Sequence, residues 1–144
     1  MDKLNKFFLL SYADKIISIK ALLFLLIFKT SLFLFPFGSI RKFVEYLSDL
    51  LPLRQSASMT AEKISQILVA VNKNLFGEKN CLPQALAAML LLKQYGYPVN
   101  LGFGVFKGTY KGKRIDFEAH AWVESADKII IGNDKDIEYF TPLS

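Results

Sequence analysis

The sequence predicts an α+β fold in which a helix that bears the single cysteine packs on a small antiparallel sheet, with an apolar helical region in front. Two observations carry this prediction. Apolar residues recur at helical spacing as far as about residue 95, and from Pro98 onward they alternate with a period of two. Helices followed by a run of strands are typical of α+β domains. We divide the chain into an N-terminal region, 1–58, and a core, 59–144.

Composition restricts the function classes before any motif is considered. The 144 residues suffice for one domain, and 52% of them are hydrophobic, which indicates that apolar surface is covered or shared. The net charge of +5 is spread over isolated Lys and Arg residues without a basic run, so we do not expect nucleic acid as a partner. Because one cysteine cannot form an internal disulfide, we expect a cytoplasmic protein.

The N-terminal region reads as two helices. Apolar residues from Tyr12 to Phe35 predict one long helix, Pro36 to Gly38 breaks it, and Ile40 to Leu50 resumes the helical spacing. Lys29 interrupts the apolar run well short of the about 20 residues that span a bilayer, and no signal-peptide cleavage site follows. We therefore expect the segment Phe24 to Phe37 to pack on the rest of the protein, on a partner or on a membrane surface.

Two helices open the core. Thr60 can cap the first of them. Its apolar stripe consists of Ile64, Ile67, Leu68, Val71 and Leu75. The second helix starts at Asn80, a favoured N-cap residue, and Pro83 fits a first turn because its missing N–H would have no helical partner there. Tyr95 and Gly96 supply the stop.

Three strands follow these helices. We predict strands at Pro98 to Lys107, Arg114 to Glu124 and Lys128 to Ile131, with a turn from Lys107 to Lys113. Five apolar residues of the second strand share one face, namely Ile115, Phe117, Ala119, Ala121 and Val123. His120 lies on the opposite, mixed face, where a side chain can act on a substrate.

Cys81 is the candidate nucleophile. At the first turn of a helix, unpaired N–H groups and the helix dipole favour a thiolate and can stabilise an oxyanion on an attacked carbonyl. The single histidine, His120, is the candidate base, which thiol catalysis needs within hydrogen-bond reach. The group that orients this base comes after the next strand and is Asp134, with Asp136 as the rival. Trp122 either walls the cleft as a substrate contact or packs in the sheet.

The motifs in this order resemble a known family. NCLPQALAAMLLLKQYGYPVNLGFGV, then FEAHAWVES and FTPL, resemble the transglutaminase-like B proteins of lasso peptide biosynthesis, of the leader-peptidase type, over roughly Ala61 to Leu143. That family pairs a Cys-Leu-x-x-Ala-Leu helix with a His-Ala-Trp-Val-Glu strand. The resemblance implies a transglutaminase-like, papain-like cysteine protease core with Cys81 as nucleophile, His120 as base and, less directly, Asp134 as the third member.

The resemblance also implies an activity and partners. The family removes the leader from a ribosomally made precursor peptide, after which an ATP-dependent cyclase closes an isopeptide ring. Leader recognition belongs to a small separate domain. Because the first 50 residues read as apolar helices, we expect a separate recognition protein as partner.

No cofactor or metal is expected. One Cys and one His cannot form a structural zinc site, and the sequence contains no glycine-rich phosphate loop. Two alternatives to the peptidase remain at this point. One is a non-catalytic peptide-binding scaffold with the same fold, and the other is a small membrane-associated protein whose apolar N-terminal half is its function.

Overall fold

A computed structural model describes residues 2–51, 59–77, 80–110, 112–132 and 140–142. The helices among them are α1 (Lys3–Phe8), α2 (Tyr12–Leu34), α3 (Phe37–Leu50), α4 (Ala61–Phe76) and α5 (Cys81–Gln94). The strands are β1 (Asn100–Tyr110), β2 (Lys113–Ser125), β3 (Lys128–Ile131) and β4 (Thr141–Pro142). The strands form one antiparallel sheet in the order β3-β2-β1-β4. The predicted α+β fold is confirmed, and α1 and β4 are short elements that periodicity did not reveal.

The N-terminal helices begin at residues suited to a helix start. At α2 the side chain of Ser11 accepts a hydrogen bond from the N–H of Asp14 at 3.2 Å. At α3 the N-cap is Pro36, whose missing N–H removes no helical hydrogen bond at that position. The predicted break is therefore shorter than expected, because α3 begins at Phe37 and Gly38 lies inside it.

One face of α2 belongs to the protein core and packs on α4 and α5. Its fully buried apolar residues, at helical spacing, are Ile17, Ala21, Leu25 and Phe28. Polar contacts fix the same face, since Lys63 Nζ lies 3.0 Å from Asp14 Oδ1 and Lys20 Nζ donates to Gln94 Oε1 at 3.2 Å. The N-terminal helix therefore shares its core with the cysteine helix. The division at residue 58 stays a prediction, because residues 52–58 lie outside the described part of the chain.

The α4 helix starts as the sequence indicates but deviates at its end. The side chain of Thr60 accepts a hydrogen bond from the N–H of Lys63 at 3.2 Å, which confirms the predicted cap. Ile64 and Leu68 are fully buried, as the apolar stripe requires. The stripe is wrong at Leu75, which is 56% exposed, because the buried side of α4 continues from Leu68 to Asn72 instead of toward Leu75.

The α5 helix is the central element of the fold. Every residue from Ala85 to Leu92 is buried, because β1 and β2 contact α5 on one side and α2, α3 and α4 contact it on others. A helix that is apolar on all sides is typical of such a central position. The helix start that carries Cys81 is thus continuous with a fully buried stretch of the core.

The first strand is longer than predicted. Gly108 pairs with residue 115 and Tyr110 with Lys113, so the predicted turn of residues 107–113 is wrong at residues 107–110 and at Lys113. Between the pairs Phe106↔Glu118 and Gly108↔Ile115, β2 advances by one residue more than β1, which is a β-bulge. The extra residue lies on β2, and β1 continues through Tyr110 although residues 107–113 are rich in glycine and lysine. Strands β2 and β3 match the prediction to within one residue.

The glycines of β1 make room for an indole ring. Trp122 is opposite Gly102 in the register, is 5% exposed, and donates from Nε1 to Glu124 Oε1 at 2.7 Å. A Cβ atom at Gly102 would overlap Nε1, Cε2 and Cδ1 of this ring. Only a residue without a side chain therefore lets Trp122 lie across β1.

Replacing Gly102 by alanine is expected to lower the free energy of unfolding by about 2–4 kcal/mol, because the indole has to move and its hydrogen bond to Glu124 is lost. Urea denaturation measures the change. Gly38→Ala is the matched control, because a Cβ there meets nothing within 4 Å and alanine favours the helix by about 1 kcal/mol. Equal stability of wild type and Gly102→Ala would contradict the packing described.

Candidate active site

The cysteine occupies the first position of α5, where its backbone environment is unusual. Asn80 is the N-cap, as predicted, but its side chain does not cap the helix and instead donates from Nδ2 to the carbonyl oxygen of Phe76 at 2.9 Å. The Asn80 side chain therefore leaves the N–H groups of Cys81 and Leu82 unblocked. Such N–H groups at a helix start favour negative charge on a nearby atom.

The structure brings Cys81 and His120 together. Among the described residues, the pairing of β2 with β3 runs from Ser125 to Val123. Two residues beyond that pairing, the thiol of Cys81 is hydrogen-bonded to the His120 ring and to the N–H of Ala121. The two candidate residues thus meet although 39 positions separate them in the sequence.

The environment of the thiol favours its ionised form. Burial alone raises the pKa of the half-buried Cys81 thiol, but the hydrogen bond to His120, the N–H groups of Ala121 and Leu82, and the imidazole charge together outweigh burial. The net result is that the pKa of Cys81 lies below its ordinary value. A thiol with this environment is a nucleophile at a lower pH than an ordinary cysteine.

The hydrogen bonds of His120 assign its two ring nitrogens. Nε2 lies 2.7 Å from the carbonyl oxygen of Gly132, which can only accept, so Nε2 carries a proton. In the neutral ring Nδ1 is then unprotonated and is the nitrogen that can take a proton from the thiol. The ring is also held from the side by Phe140, at 5.3 Å between ring centroids, and by Trp122, at 6.2 Å.

Gly132 is a site residue that sequence reasoning missed. Its φ of +78° lies in the left-handed region, and a Cβ atom there would come within 2.7 Å of the Ala121 carbonyl oxygen and 3.0 Å of Trp122 Cα. The glycine therefore lets the chain leave β3 close against β2, which places its carbonyl oxygen on His120 Nε2. The signal in the sequence was a glycine directly after a short strand.

A second pair missed from the sequence anchors the start of α5. Asn72, which is 2% exposed, donates from Nδ2 to Gln84 Oε1 at 2.6 Å and to the carbonyl oxygen of Gly77 at 3.4 Å. Gln84 lies one helical turn after Cys81. The amide pair therefore ties α4, the residue that ends it and the first turn of α5 together, and so fixes the position of Cys81.

Trp122 lies beside the site but offers little surface to a substrate. Its ring is almost fully covered, stacks on His120 at an interplanar angle of 28°, and crosses β1 at Gly102. A substrate contact through Trp122 stays a prediction, whereas packing in the sheet is what the described contacts show.

The remaining predicted residues lie outside the described part of the chain. Asp134 and Asp136 both fall within residues 133–139, so neither can be placed relative to His120. Among the described residues there is no group of three or more His, Cys, Asp or Glu side chains that could hold a metal ion. An apolar cleft of about 310 Å³ lies between α2 and α3, away from Cys81.

Alkylation of the single thiol by iodoacetamide is expected to show a pH midpoint below that of an ordinary cysteine, because the pKa of Cys81 is lowered. In the His120→Ala variant the midpoint should move to higher pH, since the hydrogen bond and the charge that lower the pKa are lost while burial still raises it. The measurement is the alkylation rate against pH by mass spectrometry. An unchanged midpoint in His120→Ala would contradict the contact.

Comparison with known proteins gives one family match, and it covers both Cys81 and His120. A family model described as the transglutaminase-like superfamily matches residues 24–144, a range that begins within α2 and includes both Cys81 and His120. No curated protein and no solved structure gives a significant match. The superfamily includes cysteine peptidases, in keeping with the contact between thiol and imidazole. Because the match covers most of the chain and the fold is helices with a small antiparallel sheet, the protein belongs to the transglutaminase-like superfamily.

Proposed function

We propose that this protein is a cysteine peptidase that removes the leader from a ribosomally synthesised lasso precursor peptide before the core is cyclised. The observation that carries the proposal is the contact of Cys81, a half-buried thiol of lowered pKa at a helix start, with a histidine whose other nitrogen is held by a carbonyl oxygen. The lasso assignment rests in addition on the resemblance of the CLPQAL and HAWVE motifs to leader peptidases of that pathway.

The first half of the proposed reaction forms a thioester. The Cys81 thiolate adds to the carbonyl carbon at the junction of leader and core, while the N–H of Cys81 stabilises the oxyanion. The C–N bond then breaks as the His120 imidazolium gives its Nδ1 proton to the leaving amine. The core departs with a free N-terminal amine, and the leader stays attached to Sγ.

The second half hydrolyses that thioester. Nδ1 of His120 accepts a proton from a water molecule, whose oxygen adds to the thioester carbonyl. The C–S bond breaks, the leader leaves with a terminal carboxylate, and the thiolate–imidazolium pair is restored. Atoms and protons balance without a cofactor in this scheme.

We propose that the His120 ring is oriented by a backbone carbonyl and by one carboxylate. The Gly132 carbonyl oxygen holds Nε2–H at 2.7 Å. Asp134, two residues further on, stabilises the imidazolium by its charge, with Asp136 as the rival. Comparison of Asp134→Asn with Asp136→Asn separates them, because only the true third member should slow leader release when its charge is removed.

We further propose the partners that this activity requires. The substrate is the precursor peptide, with its leader and core, and a separate recognition protein presents the leader. An ATP-dependent lasso cyclase then consumes the released core. These partners follow from the proposed activity and from the family resemblance.

The test is a reconstituted cleavage reaction. The purified protein is mixed with synthetic lasso precursor peptides, each together with its recognition protein, and the products are followed by mass spectrometry. A peptidase yields two fragments whose masses add up to the precursor plus one water. A folded protein that binds the leader and leaves every precursor intact would contradict the proposal and favour the scaffold alternative.

A further inference from the structure

The side of α2 that faces away from the core is apolar along the whole helix. The large exposed apolar residues on that side recur at helical spacing, and their exposed fractions run from 42% to 90%: Tyr12, Ile19, Leu23, Leu26, Ile27, Phe33 and Leu34. Thr30 is the only uncharged polar residue among the exposed positions of α2. Its hydroxyl donates to the carbonyl oxygens of Leu26 at 2.9 Å and Ile27 at 3.0 Å, so it needs no hydrogen-bond acceptor outside the helix. We call these residues the outer face of α2.

An apolar cleft extends the outer face toward α3. Ile27, Phe35 and Phe43 are all exposed and all line the cleft of about 310 Å³ between the two helices. Monomeric soluble proteins rarely expose apolar patches beyond a few hundred Å², and larger ones mark protein or membrane contact. The outer face with its cleft therefore indicates a surface that binds a protein or a membrane.

The charges around the outer face are mainly basic. The first 50 residues have seven basic side chains and four acidic ones. Two of the acidic side chains are paired, since Asp14 lies 3.0 Å from Lys63 on the core side and Glu45 lies 3.4 Å from Arg41. An apolar surface in a mainly basic surrounding is complementary to a membrane with anionic headgroups. A protein partner would be expected to meet more polar groups for directional hydrogen bonds than the hydroxyls of Tyr12 and Thr30 that the outer face offers.

The core contacts of α2 determine how it can meet a bilayer. Among the described residues, α2 is the one helix that is long and apolar enough to cross a membrane. Its inner face, however, is buried against α4 and α5 through Ile17, Ala21 and Leu25. Crossing the bilayer would remove these residues from the core, whereas contact along the outer face keeps them in place.

From these observations we infer that the protein docks on the surface of an anionic lipid bilayer, with α2 lying in the membrane plane and its outer face inserted among the acyl chains. Lys3, Lys6 and Lys15 then lie at headgroup level, where their charges attract anionic lipid, whereas Lys20 and Lys29 contact Gln94 and the Phe76 ring on the core side. This inference is independent of the proposed peptidase activity, because Cys81 and His120 lie on other elements.

The test is flotation of the full chain with vesicles of phosphatidylcholine and with vesicles in which one lipid in three is phosphatidylglycerol. We expect the protein to float with the anionic vesicles, less with the neutral ones, and to be released by alkaline carbonate. Leu23→Glu/Ile27→Glu should reduce binding at least about tenfold, because two exposed apolar side chains that would enter the acyl region are replaced by charges. Val69→Glu, at an exposed apolar position of α4, is the matched control and should bind like wild type.

Four outcomes would overturn the inference. The first is absence of wild-type flotation with anionic vesicles, and the second is equal flotation of the Leu23→Glu/Ile27→Glu variant. Resistance to carbonate would show a spanning helix instead. A stable dimer that this variant dissociates, together with no vesicle binding, would show that a second copy covers the outer face. Cleavage of soluble precursor by the same variant is measured in parallel, so that failure here is distinguished from failure of the peptidase proposal.

Discussion

Replacement of His120 by alanine is expected to slow leader release by at least about a thousandfold, and Cys81→Ala is expected to abolish the covalent route altogether. The reason lies in the contact between the two side chains. Without the imidazole, the thiol loses the hydrogen bond and the charge that lower its pKa, and the leaving amine loses its proton donor. Without the thiol, no thioester forms. Initial rates of fragment formation by mass spectrometry measure both effects.

Two controls separate chemistry from folding in these variants. Far-UV circular dichroism and urea denaturation report whether the His120→Ala protein keeps its fold, which matters because the ring packs against Trp122 and Phe140. Glu118→Ala changes an exposed side chain two residues before the histidine on the same strand and should cleave at the wild-type rate. A His120→Ala enzyme that is folded and within about tenfold of wild type would exclude His120 as the base.

Replacement of Gly132 by alanine is expected to lower the free energy of unfolding by about 2–4 kcal/mol and to slow leader release. An alanine at φ of +78° is strained, and its Cβ would lie 2.7 Å from the Ala121 carbonyl oxygen. The chain after β3 then has to withdraw from β2, and the hydrogen bond from His120 Nε2 is broken. Urea denaturation measures the first effect and cleavage rates the second.

A second glycine with the same backbone conformation gives the matched control. Gly96 has φ of +85°, but a Cβ atom there meets nothing within 4 Å. Gly96→Ala should therefore cost only the left-handed strain, about 1–2 kcal/mol, and leave cleavage unchanged. If Gly132→Ala lost no more activity than Gly96→Ala, the Gly132 carbonyl oxygen would have no part in holding His120.

Local patterns predicted most of the fold because they follow from short-range geometry. The cap at Thr60, the apolar face of α4 and the alternation along β2 each depend on residues within one or two turns or a few strand positions. The predictions failed where a neighbouring element decides the outcome. The continuation of β1 to Tyr110 depends on its pairing with β2, and the exposure of Leu75 depends on which side of α4 the neighbouring elements cover.

The residues of the candidate site also fall into those that the sequence predicted and those that it did not. Cys81 and His120 were found because each is the only residue of its type and each lies at a position suited to its chemistry. Gly132, Asn72 and Gln84 were not found, because their roles arise from contacts across the sheet edge and between helices. A backbone carbonyl that orients a histidine leaves no side-chain signature. The third member, Asp134, stays a prediction that charge-removing variants can test.

The long apolar helix α2 packs on the protein with one face and exposes apolar side chains on the other. The sequence predicted that Phe24 to Phe37 packs on the protein, on a partner or on a membrane surface. The inner face of α2 packs on α4 and α5, while large side chains such as Leu23 and Ile27 remain exposed. A single sequence pattern could not separate these faces, because both are apolar and the core contacts alone distinguish them.

The most direct test of whether Cys81 is the nucleophile of a leader peptidase is capture of the acyl-enzyme. The protein is mixed with precursor and recognition protein, quenched in acid at early times and analysed by intact-protein mass spectrometry with peptide mapping. We predict an adduct on Cys81 that has the mass of the leader less one water and that hydroxylamine removes. Leader release at the wild-type rate by Cys81→Ala, with no adduct on the wild-type protein, would contradict it.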